Sequence, residues 1–270
     1  MGHINEEQWR FYDKNGYLML GHVAAASEWI TLQRRIDEIM LGTAKINYDN
    51  VMMQLDIGGD DYGKLGKQTM GHKGATLGYR KIQNLEFDPV FLRYVQHPVF
   101  REVCARIYGP DASIAVHRAM FMNKPARKGT VLPWHQDAWV PRFDPQPLLT
   151  VWTALDSATV DNGCVQIVPG GHKHGIINPE QGAGFLDQEH IAEYCEGRPM
   201  VFIELEAGEV ALLHNWTLHR SGVNQTDVPR RGFSANYMDA STKVMGDRHY
   251  SVVMDEGALV PEVLEASMGS

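Results

Sequence analysis

The only His-x-Asp in the chain lies in Leu132-Pro133-Trp134-His135-Gln136-Asp137. On an extended strand residues i and i+2 point to one face, so His135 and Asp137 offer an imidazole nitrogen and a carboxylate oxygen to the same ion. Alone the pair carries little weight, because a chain with 12 histidines and an ordinary share of aspartates yields roughly one such pair by chance. A second histidine would complete a two-histidine, one-carboxylate face, the arrangement that leaves three positions open on a non-haem iron. Four candidates follow downstream. His172 and His174 share the turn Pro169-Gly170-Gly171-His172-Lys173-His174-Gly175, and His214 ends an apolar run. His219 opens Leu218-His219-Arg220-Ser221-Gly222 and precedes Arg230 by eleven residues. An arginine grips a carboxylate through two parallel hydrogen bonds, and the Ser221 hydroxyl can add a third, as the distal end of a dicarboxylate would require.

The elements that must carry these residues are mostly short strands. Ser113–Met122, Leu148–Leu155, Val165–Val168, Val201–Leu205, Val210–His214 and Gly232–Met238 are β-type runs separated by Asn162-Gly163, Pro169-Gly170-Gly171 and Ala207-Gly208, all turn chemistry. Many short strands punctuated by glycine predict a β-sandwich, jelly roll or barrel. The first third reads differently. Glu6 to Lys14 predicts a helix stopped by Gly16, followed by a strand at Tyr17-Leu18-Met19-Leu20. Ser27 is the expected cap of a helix bearing Trp29, Leu32, Ile36 and Ile39 on one face. Asp88-Pro89 and His97-Pro98 start two more, the second burying Val99, Val103 and Ile107 before Gly109-Pro110 ends it. The fold class is therefore α+β, mainly β, and no composition shift divides residues 1–270 into domains. Ile57 to Ala75 stands apart, with six glycines and little apolar periodicity: a surface loop, or an active-site lid.

Composition narrows the function classes. The net charge is -8 and no long Lys or Arg run occurs, so a nucleic-acid partner is not expected. No stretch approaches the roughly 18 apolar residues of a membrane span. Cys104, Cys164 and Cys195 are odd in number and lack CxxC spacing, so neither a disulfide framework nor a zinc site is indicated. With no signal-like start at Met1-Gly2-His3 and no peroxisomal ending at Ser267-Met268-Gly269-Ser270, the expected location is the cytoplasm.

In order along the chain, Tyr79-Arg80-Lys81-Ile82-Gln83, Met120-Phe121-Met122-Asn123-Lys124-Pro125, Trp134-His135-Gln136-Asp137, Val151-Trp152-Thr153-Ala154-Leu155, Asn162-Gly163-Cys164 with Val168-Pro169-Gly170-Gly171-His172-Lys173, and His219-Arg220-Ser221-Gly222 with Arg230 resemble the phytanoyl-CoA dioxygenase family of iron- and 2-oxoglutarate-dependent oxygenases. The likeness runs from about Gln8 to Tyr237. It implies a double-stranded β-helix, a jelly-roll and cupin relative, with the N-terminal helices packed on it. It implies Fe(II) at His135, Asp137 and His219, and 2-oxoglutarate contacts from Lys81, Met120, Trp152, Ser221 and Arg230, with Arg231 the neighbouring competitor for the anchor. It also implies O2 as second co-substrate, succinate and carbon dioxide as co-products, and hydroxylation of an aliphatic C–H bond in a small, polar metabolite. In related halogenases a small residue replaces the carboxylate, so Asp137 argues against halogenation. Trp134, Trp139 and Arg142 are candidate pocket residues, and the lysines of the glycine-rich segment are candidates for meeting an anionic substrate. Two other readings share the ligand set: a metallo-hydrolase, which leaves Arg230 and Ser221 unexplained, and a non-catalytic β-sandwich binding a small acid or a protein.

Overall fold

Local signals at the N-terminus act much as their chemistry dictates. Asn5 and Gln8 cap one another reciprocally at the start of α1 (Glu6–Asn15), and Gly16 ends it in the left-handed region at φ 77°. The Gly16 carbonyl then accepts from the His214 backbone N–H and the Thr217 hydroxyl, and a Cβ there would sit 2.4 Å from Thr217 Oγ1. This corner braces the turn that leads into His219. The computed structural model describes residues 4–138, 142–182, 184–246 and 250–268.

After α1 come β1 (Tyr17–His22) and α2 (Ala26–Leu41), then the strands β2 (Met52–Leu55), β3 (Thr69–Met70) and β4 (Tyr79–Gln83). Helices α3 (Pro89–Val95) and α4 (Pro98–Tyr108) precede β5 (Ile114–Lys124), β6 (Leu132–His135), β7 (Phe143–Asp144), β8 (Leu149–Ala154) and β9 (Val165–Ile167). The chain continues through α5 (Gln188–Tyr194), β10 (Val201–Ile203), β11 (Glu209–His214), β12 (His219–Ser221), β13 (Arg230–Asp239), β14 (Lys243–Val244), β15 (Ser251–Met254) and α6 (Pro261–Met268). The larger sheet runs β1-β11-β8-β13-β5-β4-β2-β3, with β15 pairing the start of β5 at Ile114–Val116, and the smaller runs β10-β9-β12-β6. Among the described residues every strand pairing is antiparallel, including that of β14 with β7. Mainly β, with α1 to α4 and α6 packed on the large sheet and α5 beside the small one, it is the expected fold.

The main core lies between the large sheet and the helices: Leu32, Ile36 and Ile39 of α2 and Phe91 and Val95 of α3 pack with Val116, Phe121, Leu212 and Phe233. The opposite faces of β5, β8 and β13 turn towards the small sheet. A smaller cluster of Trp152, Val165, Ile167, Ile203 and Leu213 fills part of that space. The rest is open.

Three local expectations shift. The cap of α2 is Ala25, whose N–H is taken by the Glu28 carboxylate, so Ser27 lies inside the helix and its hydroxyl does not cap it. Helix α4 buries Phe100, Val103 and Cys104 while Val99 and Ile107 are only partly covered, a stripe rotated by one residue. The glycine-rich segment is tied down: Gln68 donates to the Met52 carbonyl, the Val131 N–H donates to Gly59, and β3 pairs with β2. The three cysteines are buried and free. Among the described residues no helix is long and apolar enough to cross a membrane.

Candidate metal and co-substrate centre

His135 ends β6 and pairs directly across with His219 of β12, the two rings lying 4.0 Å apart. Asp137 lies just beyond the strand rather than on it, where its N–H donates to the Asn215 carbonyl at 2.7 Å. The expected two-residue alternation thus holds for facing, although a turn and not a strand delivers the carboxylate. One ligand atom from each of His135, Asp137 and His219 falls within 4.8 Å of the others, the single such group of three or more among the described residues.

Residues between and beside the three hold them in place. Gln136 is buried and points the other way, donating to Gly175 and Trp216 carbonyls and accepting from the Ile177 N–H. Its own N–H donates to Gly184, where a Cβ would come within 2.0 Å of the Gln136 carbonyl oxygen, so only glycine fits. Asn215 is buried and accepts from the Thr150 hydroxyl, linking Asp137 to the large sheet.

The donor set suits a divalent metal. His135 Nδ1 donates to the Pro133 carbonyl at 2.8 Å and His219 Nδ1 to the Thr217 carbonyl at 2.9 Å. A carbonyl can only accept, so both protons sit on Nδ1 and both Nε2 lone pairs are left for a ligand. Burial and the adjacent His219 push His135 down to about 3, so it is a neutral imidazole at physiological pH. Burial works against ionisation of Asp137, but His219, His135 and Arg118 outweigh it and hold the carboxyl below its usual range.

The open space beside this group is a cavity of about 230 Å3. All five residues expected to meet 2-oxoglutarate line it: Lys81 from β4, Met120 from β5, Trp152 from β8, Ser221 from β12 and Arg230 from β13. Arg230 is buried, donates once to the Gly163 carbonyl at 3.0 Å and keeps its Nε without a protein partner. Trp152 Nε1 is likewise buried and unpartnered, and Gly232 makes room for that indole, since a Cβ there would lie 2.7 Å from it. Unsatisfied buried donors of this kind fit a carboxylate that arrives with the co-substrate.

Strand alternation separates the two arginines. Arg231 points out of the cavity, donating from Nε and Nη2 to the two Asp156 oxygens at 2.7 and 2.8 Å and reaching Asp37 as well. It is saturated.

Several lining residues escaped the sequence reading. Lys124 faces Arg230 across the β5–β13 pairing and donates to the Thr130 carbonyl at 2.7 Å; burial, then Arg230 and Arg80, pull its ammonium down to about 6. A Cβ at Gly129 would meet Lys124 at 2.6 Å and one at Gly163 would meet it at 2.8 Å, so two turn glycines shape its slot. Arg118, Met120, Met122 and Lys124 line the cavity along β5 at every second position, a periodicity visible in the sequence without showing which face was inward. Tyr62 opens a short 3-10 turn in the glycine-rich segment, the lid candidate of the sequence, and Phe185, from a loop, carried no sequence signal beyond being aromatic. Conversely, Lys64 pairs with Asp61 in solvent, Lys73 donates to the Met70 carbonyl, and no lysine of the glycine-rich segment lines the cavity. Trp134 is buried beneath Arg220, Arg142 is exposed, and Trp139 lies outside the described residues.

Fold and site together define a 2-oxoglutarate-dependent non-haem iron dioxygenase with a His-Asp-His metal-binding triad. The chain belongs to the phytanoyl-CoA dioxygenase family, whose model matches residues 12–232. It is 30% identical over 245 residues to a probable phytanoyl-CoA dioxygenase of Caenorhabditis elegans, covering 87% of this chain and 75% of that one. It is 27% identical over 252 residues to the peroxisomal phytanoyl-CoA dioxygenase of Homo sapiens, covering 90% and 69%. Among solved structures, EctD from S. alaskensis with 2-oxoglutarate and 5-hydroxyectoine superposes with a TM-score of 0.71 at 20% identity, over 96% of this chain and 86% of that one. The carbocyclase SnoK from nogalamycin biosynthesis gives 0.67 at 20% identity over 89% and 86%. These two likenesses speak for the fold.

Proposed function

We propose that this oxygenase hydroxylates an aliphatic C–H bond of a small, polar metabolite, with Fe(II) held by His135, Asp137 and His219 and 2-oxoglutarate held by Lys81, Met120, Trp152, Ser221 and Arg230. The observation that carries the reading is Arg230: a buried guanidinium without a carboxylate partner, in one cavity with three converging metal donors. Placing a charge there without a counter-ion is costly unless a ligand supplies one. Bound iron would activate O2, the oxidant, while the 2-oxo acid would supply two of the electrons and leave as succinate and carbon dioxide. The chain's own residues bind, orient and exclude water. Arg230 and Ser221 fix the distal carboxylate, Trp152 walls the slot, and the Nδ1 bonds to Pro133 and Thr217 hold both imidazoles in the ligating tautomer.

The modest cavity favours a small substrate, since typical ligand pockets run to about 300–1,000 Å3. A metallo-hydrolase leaves the buried, carboxylate-free Arg230 unexplained. The segment from Ile57 to Ala75 is proposed as a lid, because it carries Tyr62 to the cavity wall on a glycine-rich backbone. The test is direct. Purified protein with Fe(II), 2-oxoglutarate and O2 should form succinate, stimulated by the correct metabolite in a screen. If 2-oxoglutarate neither binds the Fe(II) protein anaerobically, judged by the visible charge-transfer band, nor is consumed in air, the reading fails.

A further inference from the structure

Five cationic residues line the cavity, Arg80, Lys81, Arg118, Lys124 and Arg230, against one carboxylate among the described residues, Asp137. Iron(II) and the doubly charged 2-oxoglutarate cancel each other, so loading the centre leaves the cationic excess where it was. Even a neutral Lys124 would not remove it. Lys81 and Arg230 are accounted for by the co-substrate, but Arg80 is not.

Arg80 lines the cavity and is only partly buried, which places it towards solvent from the buried Arg230. The Arg80 guanidinium lies over the Tyr62 ring at 5.1 Å and donates to the neutral Gln54 amide oxygen at 3.1 Å, and no described carboxylate pairs with it. The Tyr62 ring in turn lies 5.2 Å from Phe185, and Phe185 lies 5.4 Å from His135. Tyr62 and Phe185 are both only partly buried, two large rings left facing open space. A cation, an aromatic wall and the metal ligand therefore follow one another from the solvent side inward.

Resting on the oxygenase reading above, we propose that Arg80, Tyr62 and Phe185 form the primary-substrate subsite, and that the substrate carries a terminal oxyanion, carboxylate or phosphate, which Arg80 binds. A short aliphatic body then lies along Tyr62 and Phe185 and presents a C–H bond to the metal. The long-range attraction of the cationic lining also favours entry of an anion over its neutral analogue.

The test uses protein loaded anaerobically with Fe(II) and saturating 2-oxoglutarate. Butyrate, hexanoate, monobutyl phosphate, monohexyl phosphate, 1-butanol and 1-hexanol are titrated calorimetrically, while the charge-transfer band reports whether 2-oxoglutarate stays bound. At least one anion class should bind at least about tenfold more tightly than the alcohol of equal length, as one charge-assisted pair warrants. The class that binds tells carboxylate from phosphate. Arg80→Gln should erase the preference and Arg80→Lys should restore part of it, both with an unchanged 2-oxoglutarate affinity that certifies the fold. Equal binding of anion and alcohol overturns the proposal. So does an anion that displaces 2-oxoglutarate, no saturation by any anion up to about 10 mM, the weak limit of specific binding, or an Arg80→Gln protein that keeps the preference. Failure of 2-oxoglutarate itself to bind would instead strike the oxygenase reading.

Discussion

Replacing Arg230 by alanine separates binding from folding more cleanly than any other change. The guanidinium is 4% exposed, makes one bond to the Gly163 carbonyl, and has no carboxylate of its own. Burial, opposed by Cys164, lowers it to about 10, a sign that the charge is uncomfortable without a ligand. Breaking a buried, charge-assisted bidentate pair costs on the order of 2–5 kcal/mol, or between about thirtyfold and a few thousandfold in affinity. Lys124 lies directly across the strand pair, and loss of Arg230 removes one of the charges that hold its ammonium down, so it can recharge against the stranded carboxylate and soften the loss. The expected result is a 2-oxoglutarate Kd raised by about one to three orders of magnitude with Fe(II) affinity nearly unchanged. Ligand-free stability should change far less, because the lost packing is offset by relief of an unpaired buried charge. Thermal unfolding with and without the ligand reads both at once: 2-oxoglutarate at a hundred times its wild-type Kd stabilises wild type by about 2.7 kcal/mol, and at that concentration the variant should gain only about 1.4 kcal/mol if its Kd rises tenfold and about 0.4 kcal/mol if it rises a hundredfold. Arg231→Ala should show the converse, losing stability through Asp156 and Asp37 while keeping its affinity. A wild-type Kd in Arg230→Ala, or a larger affinity loss in Arg231→Ala, would refute the reasoning.

His135→Ala and Asp137→Ala should each abolish turnover and leave the purified protein substoichiometric in iron, whereas His172→Ala and His214→Ala, whose rings pack together 4.8 Å apart away from the triad, should keep normal metal content; a full iron complement in His135→Ala would sink the triad. Lys124 falls from its ordinary 10.5 to about 6, so between those values the unfolded chain holds a proton that the folded chain has released. Stability from this position therefore rises with pH across that window, by at most about 1.4 kcal/mol per unit, and Lys124→Met should flatten the slope measured by urea unfolding of the ligand-free protein. Hydrogen exchange of residues 57–75 should slow when substrate joins the metal and 2-oxoglutarate; identical exchange in the two states would mark the segment as a plain connector.

Much of the local order was written in the sequence. The glycine stop after α1, the prolines opening α3 and α4, and the turn glycines between strands act within a few residues of themselves, so they are legible without the fold. The His-x-Asp spacing belongs here too, although a bend delivered Asp137 rather than a strand. Choosing His219 over His172, His174 and His214 from the residues alone was a matter of cross-strand pairing, which the β6–β12 register decides by setting His219 against His135. The same holds for Arg230 against Arg231. Alternation says that one of two adjacent residues faces inward, and only the β13–β5 and β13–β8 pairings say which. Arg80 lies in a motif the sequence offered and Tyr62 in its lid candidate, but that they meet Phe185 was beyond reach of the sequence, because residues distant along the chain come together there through loop and strand placement with no periodicity to announce it. Short-range propensity is encoded in neighbours, and the cavity is encoded in contacts that exist only once both sheets have closed around it.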